Sequence, residues 1–520
     1  MNFFILKNLI LYVMMNLKKI SENNVGKILF SLSIIGILIC LWIALTKPSL
    51  WEAEFFTLNV IQFPFDDFIY KICNDVHPIL YYLIVRFFVD IFSFVGVDIV
   101  STVQIVSLIP IVLLLIVNYY KVRENFGWFV CGLFSFCIVF MPKFMFNSIE
   151  CRMYSWAMFF LTVSFIYLYN LIKKPNFKNW AIFTILTICS AYTHYFAAIG
   201  SIILYVLFLA YIIFKNRSLL KNYILSVICC IVAYLPWVNV VLSQINNTQD
   251  YWILPIEFKT VVGYLYYVFS PTDVYIIGNQ FISPTVLGTI FILVLLFVLI
   301  FSFKGKTNFN EKYAYLGISI VILTCAVGII ISFLTHPILH YRYIYPAMGC
   351  FWLGICILIN KIKKDYKLIA TVVVAIILLI GCVATLDFVH MKNNAFDSST
   401  ALNESVNSYY QDNSIIIYKP GYYSYAENMF LDNSTCIFIE ETNTTTIEDH
   451  DMNTIHRIKM NVTSNLTKEL KEKFKVDHVY LAGDNDDWLK SHEIVYQKIV
   501  DSNYDPFGLM IDVHNVYELK

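Results

Sequence analysis

Apolar runs of about 20 residues recur along this chain, and each is long enough to cross the hydrocarbon core of a bilayer. They fall near 28–47, 78–96, 99–118, 126–142, 153–172, 180–196, 197–214, 222–242, 284–303, 313–334, 343–360 and 367–388. A backbone at that depth has no water to bond to, so each run must satisfy its own amide groups as a helix. Charged residues make up 14% of the 520, against about 25% in a soluble domain. The expected fold is therefore an α-helical polytopic membrane protein with about 11–13 transmembrane helices.

Charge is segregated between the runs, and that segregation reports topology. Basic loops recur at Lys121/Arg123, Lys173/Lys174/Lys178, Lys215/Arg217/Lys221, Lys304/Lys306/Lys312 and Lys361/Lys363/Lys364/Lys367. The positive-inside rule assigns all five to the cytoplasm. Residues 1–27 then read as a cytoplasmic leader, 28–390 as the transmembrane domain and 48–77 as its first outer loop. One stretch breaks the alternation. Residues 78–118 read as two helices, yet Lys121 and Arg123 place their end inside. After about residue 390 the composition turns polar. S-I-I-I-Y (414–418), C-I-F-I-E (436–440) and D-H-V-Y-L-A-G (477–483) read as short strands. The stretch 465–474 reads as a helix with Asn465 as its cap. The segment 391–520 is thus expected to be a small α/β extracytoplasmic domain.

The formal net charge is zero, so nothing argues for nucleic acid as a partner. Most of the 13 cysteines lie inside apolar runs, where they act as small hydrophobes, and no C-x-x-C knuckle is present. Nor is there a P-loop or other nucleotide-binding motif.

Polar chemistry collects at the expected outer helix ends. The first loop carries Glu52, Glu54, Asp75 and His77, and F-N-S-I-E-C-R-M-Y carries Glu150, Arg152 and Tyr154. A-Y-T-H-Y-F supplies His194 and Tyr195, and T-H-P-I-L-H-Y-R-Y supplies His336, His340, Arg342 and Tyr343. Charge at a membrane boundary is costly to hold, so such a cluster is a functional-site hypothesis. Carboxylates can deprotonate a hydroxyl, and arginines bind a departing phosphate. Together they suit group transfer from a lipid phosphate, whose bond would store the reaction energy. Plainer roles stand beside these. Glu52 and Glu54 would serve as surface charges, Asp75 as a cap on a helix starting at Pro78, and Arg152 and Arg342 as headgroup anchors. Arg86 and Asp90 would form an intrahelical ion pair. A hard divalent cation on Glu52, Glu54, Asp75 and His77 is a rival reading.

S-L-W-E-A-E-F-F-T-L followed by D-V-H-P-I-L-Y-Y resembles the first outer loop of glycosyltransferase family 39-like proteins. These are GT-C fold enzymes related to protein O-mannosyltransferases and to the aminoarabinose transferase of lipid A. S-I-E-C-R-M-Y, A-Y-T-H-Y-F and Y-R-Y-I-Y-P resemble later family motifs, in order across residues 28–390. The resemblance implies a GT-C fold, a polyprenyl- or dolichyl-phosphate sugar donor and transfer on the outer face, without a metal or other cofactor. The acceptor would be a hydroxyl of a glycan, protein or lipid. By this resemblance Glu54, Glu52 and Asp75 are the catalytic candidates. The substrate-binding candidates are His77, Arg152, Tyr154, His194, Tyr195, Arg342 and Tyr343. The family's favoured general base is an Asp, and Ala53 stands at its position; Ile79 stands where a proline is usual. Two other readings remain: a lipid or polysaccharide transporter, and a catalytically degenerate GT-C scaffold.

Overall fold

The computed structural model describes residues 22–50, 52–247, 253, 255–272, 284–304, 307–407, 410–411, 413–418, 435–441, 448–452, 455–482, 486–500 and 515–520. Residues 1–21 of the expected leader lie outside them. The helices are α1 (Glu22–Thr46), α2 (Glu52–Val60), α3 (Phe65–Cys73), α4 (Leu80–Ser93), α5 (Ile99–Val117), α6 (Arg123–Phe140), α7 (Phe144–Ile149), α8 (Tyr154–Lys173) and α9 (Phe177–Thr193). There follow α10 (Tyr195–Lys215), α11 (Leu220–Asn247), α12 (Phe258–Phe269), α13 (Pro284–Ser302), α14 (Phe309–Leu334), α15 (Tyr345–Asp365) and α16 (Lys367–Asn407). Internal packing divides the chain into two units. One comprises Met1–Leu45, Ile72–Ile84 and Gln104–Val389; the other comprises Thr46–Lys71, Val85–Val103 and His390–Lys520.

Among the described residues, nine helical runs are long and apolar enough to cross a membrane. One of them, Ile99–Phe140, is 42 residues long. It contains a π-turn at Asn118–Val122 and Gly127 at φ 85°, ψ 174°. A Cβ would strain that backbone, and glycine tolerates it. The π-turn continues the helix from α5 into α6, and the break falls inside α6 at Gly127, four residues after Arg123. The chain is a multi-pass membrane protein.

The expected span at 78–96 does not form. Its helix, α4, has 14 residues, about 21 Å at 1.5 Å per residue against a core of about 30 Å. The stretch reads as apolar because aromatic residues surround Arg86. That guanidinium donates to the Phe63 carbonyl at 2.6 Å and sits over the Phe65 and Phe68 rings. Among the described residues it makes no ion pair with Asp90, contrary to the sequence expectation. Removing this span also removes the conflict in the count, because α5 alone now leads to Lys121.

In the first unit α15 is almost wholly buried and packs against α14, α8, α6 and α13. Close approach rests on small residues, as in helix pairs within lipid. A Cβ on Gly132 of α6 would lie 1.9 Å from the Gly26 carbonyl oxygen of α1, and one on Gly26 would lie 2.1 Å from the Trp128 carbonyl oxygen.

The second unit carries a seven-stranded sheet: β1 (Ser414–Tyr418), β2 (Thr435–Glu441), β3 (Glu448–Met452), β4 (Ile455–Met460), β5 (His478–Ala482), β6 (Tyr496–Val500) and β7 (Val516–Leu519). The order is β3-β4-β2-β1-β5-β7-β6. The central strands β4, β2, β1 and β5 run parallel, and β3, β7 and β6 add antiparallel edges. Ile415, Ile416 and Ile417 are all fully buried, as a parallel strand covered on both faces requires. Helix α17 (Leu466–Phe474) turns Leu466 and Leu470 into the same core. Asn465 occupies its N-cap position, but the side chain makes no capping bond.

Candidate functional site

Four breaks between helices build the site in the first unit. Residues 74–79 follow α3. Glu150 to Met153 form a tight turn between α7 and α8, where the Arg152 amide donates to the Glu150 carbonyl at 2.7 Å. His194 alone separates α9 from α10, with extended angles of φ −158° and ψ 135°. His340 precedes a 3-10 turn at Tyr341–Ile344 that leads into α15. The helices α8, α10 and α15 thus all begin at this cluster. Helix starts carry unpaired amide groups and a partial positive charge, which favour an anion.

Aromatic and imidazole rings hold the breaks together. The His194 ring lies 5.8 Å from His77, 5.7 Å from Tyr154 and 5.0 Å from Tyr343, between centroids. Tyr343 is 5.7 Å from His340. His77, Arg152, Tyr154, His194, His340 and Tyr343 are all buried.

Asp75 accepts from the Tyr82 hydroxyl at 3.1 Å and from His77 Nδ1 at 3.3 Å through the same oxygen. It is not a cap on the following helix; its carboxylate turns inward to these two groups. Burial pushes the Asp75 carboxyl up, but the His77 hydrogen bond, with the charges of His77 and Arg152, outweighs it and holds the group below its ordinary value. Burial pushes His77 the other way, toward the neutral imidazole, with Arg152 adding to it and Asp75 opposing it. The pair is therefore an ionised Asp75 carboxylate that accepts from His77 Nδ1–H. Burial, then the charge of Arg342, pushes His340 down to about 3.

Arg342 Nη1 lies 3.8 Å from Glu150 Oε1, with the glutamate side chain 1% exposed and the arginine 15%. Arg342 Nη2 also lies 3.4 Å from the Tyr341 hydroxyl. Tyr341 and Tyr345 line a small cleft together with Lys143, Asn147 and Tyr267, among others.

The structure thus brings together Asp75, His77, Arg152, Tyr154, His194, Arg342 and Tyr343. Tyr195 stands at the edge of this group, within reach of the charge of Asp75. Its hydroxyl bonds to Gln244 Oε1 and accepts from Trp237 Nε1 at 3.2 Å, and Gln244 Nε2 donates to the Ile72 carbonyl at 3.0 Å. Glu54 is buried on α2 in the second unit, and the Glu52 side chain lies outside what the structure describes. Among the described residues no three His, Cys, Asp or Glu side chains converge as a metal centre requires. Sequence reasoning missed Tyr82. It stands seven residues after Asp75 in D-V-H-P-I-L-Y-Y, and only the turn at Pro78 brings its hydroxyl back to the carboxylate.

No family profile matches the chain, and no curated protein does. Among solved structures, the chain is similar to ArnT from Cupriavidus metallidurans in the apo state. Identity is 10% over 94% of this chain and 97% of that one, with a TM-score of 0.55. The same ArnT bound to undecaprenyl phosphate matches over the same shares at 9% identity, with a TM-score of 0.58. The chain has a GT-C fold. At this identity the likeness is one of fold. An oligosaccharyltransferase from Archaeoglobus fulgidus, in complex with zinc and sulfate, superposes on this GT-C chain more loosely. It shows 13% identity over 86% of this chain and 67% of that one, with a TM-score of 0.44.

Proposed function

We propose that this GT-C protein moves a sugar from a polyprenyl-phosphate donor to a hydroxyl acceptor at the outer face of the membrane. The observation that carries the reading is the convergence of Arg152, Arg342 and the Asp75 carboxylate where α8, α10 and α15 begin. A fold shared with a protein that binds undecaprenyl phosphate supports a lipid-phosphate donor. So does the order of motifs along the chain.

Arg152 and Arg342 hold the donor phosphate, and the helix starts add to their field. The acceptor oxygen attacks the anomeric carbon. The bond from that carbon to the phosphate oxygen breaks, and the lipid phosphate leaves with the electron pair, inverting the centre. Asp75, ionised and steadied by Tyr82 and His77, takes the hydroxyl proton, while Glu150 faces Arg342. His77, Tyr154 and Tyr343 shape the sugar pocket. The resemblance assigns the acidic first-loop role to Glu54, with Glu52 beside it; Ala53 in place of the usual Asp favours a degenerate scaffold as the second reading.

Purified protein is incubated with labelled polyprenyl-phosphate hexoses and total membrane acceptors, with and without Asp75→Asn and Arg342→Ala. Each folded variant should lose roughly 100-fold or more in transfer. Full activity in both would remove the assignment. Donor binding without any transfer by the native chain would favour the scaffold reading.

A further inference from the structure

His194 has one ring nitrogen accounted for and one not. It is the N-cap of α10, and its Nδ1 accepts the Phe196 backbone amide at 3.1 Å. An Nδ1 that accepts carries no proton, so the neutral ring bears its hydrogen on Nε2. That Nε2–H is buried and has no hydrogen-bond partner among the described residues, and the whole residue is only 2% exposed. A buried donor left unpaired costs about 1–3 kcal/mol, and such a group in a native fold calls for an explanation.

The surroundings say what would complete it. The ring stands among His77, Tyr154 and Tyr343, with the charge of Arg152 acting on both His77 and His194. It immediately precedes the first residue of α10, beside the starts of α8 and α15. A cation and three helix starts favour an anionic oxygen over a neutral one.

We infer that His194 Nε2–H donates a hydrogen bond to a phosphate oxygen of the polyprenyl-phosphate donor. This rests on the donor reading above and adds the residue that completes its phosphate site. His194 then has two separable tasks: Nδ1 starts a helix, and Nε2 binds the ligand.

Two substitutions separate them. His194→Asn puts an acceptor near the Nδ1 position, where Asn is a favoured cap, and removes the distal donor. His194→Gln keeps a donor near the Nε2 position and gives up the cap. Undecaprenyl phosphate and uncharged undecaprenol are titrated into each purified protein, and thermal midpoints are read in parallel. The Asn variant should keep its midpoint and bind undecaprenyl phosphate roughly 10- to 100-fold more weakly. The Gln variant should melt lower yet bind within about threefold of the native chain, less than the loss of one charge-assisted bond. If the Asn protein does not purify, His194→Ser, also a strong cap, reads the same loss. Unchanged affinity in a folded Asn or Ser variant would overturn the inference and leave His194 a cap alone. A native protein that binds undecaprenol as tightly as undecaprenyl phosphate would overturn both the inference and the donor reading.

Discussion

The charge states of Asp75, His77 and His340 bear on stability as well as chemistry. His340 sits at about 3 in the folded chain against an ordinary 6.5, and His77 is also lowered. Between those limits the unfolded chain binds protons that the folded chain excludes, so stability falls as pH drops below 6.5. Asp75 adds the same sign: its lowered carboxyl stabilises the fold above the ordinary carboxylate range, and this is lost as pH falls through its folded value. The thermal midpoint in detergent should decline steadily from pH 7 to pH 4. His340→Gln should flatten that slope, and parallel slopes would count against the assignment. At this scale much of the site was legible, because Asp75, His77, Arg152, His194 and Arg342 are polar residues in an apolar chain. The bond from Tyr82 to Asp75 and those of Tyr195 to Gln244 and Trp237 were not legible, because they depend on where a helix points its side chain.

Helices were readable wherever an apolar run reached spanning length. The exception is α4, where aromatic bulk around Arg86 imitates a span that is too short. Gly127 marks the opposite case, a single residue that breaks a 42-residue apolar run. Contacts between helices add a constraint that hydropathy does not carry. Gly132→Val would drive its side chain into the Gly26 carbonyl, and backbone cannot yield as a flexible side chain would. We expect a loss of about 2–3 kcal/mol or more, read as a lower melting temperature and aggregation on size exclusion. A Gly132→Val protein as stable as the native one would show that α1 and α6 separate freely.

Across the whole molecule, the loop charges carry an orientation that composition alone does not. A phosphatase active only outside the cytoplasm, fused after Lys520, should be active. The same reporter inserted near Lys174 should be silent. The reverse pattern would invert the proposed topology and with it the face on which transfer occurs.

The sequence by itself determined a multi-pass helical protein, short β-strands near 414–418, 436–440 and 477–483, and the residue types of the site. These follow from local properties: run length, period and the cost of charge beside lipid. The fold decided which polar residues meet. Asp75 reaches Tyr82, Arg342 reaches Glu150, and His194 is enclosed by rings from three other segments. The first closes over the turn at Pro78; the others join residues far apart in the chain and exist only once α8, α10 and α15 begin at one place.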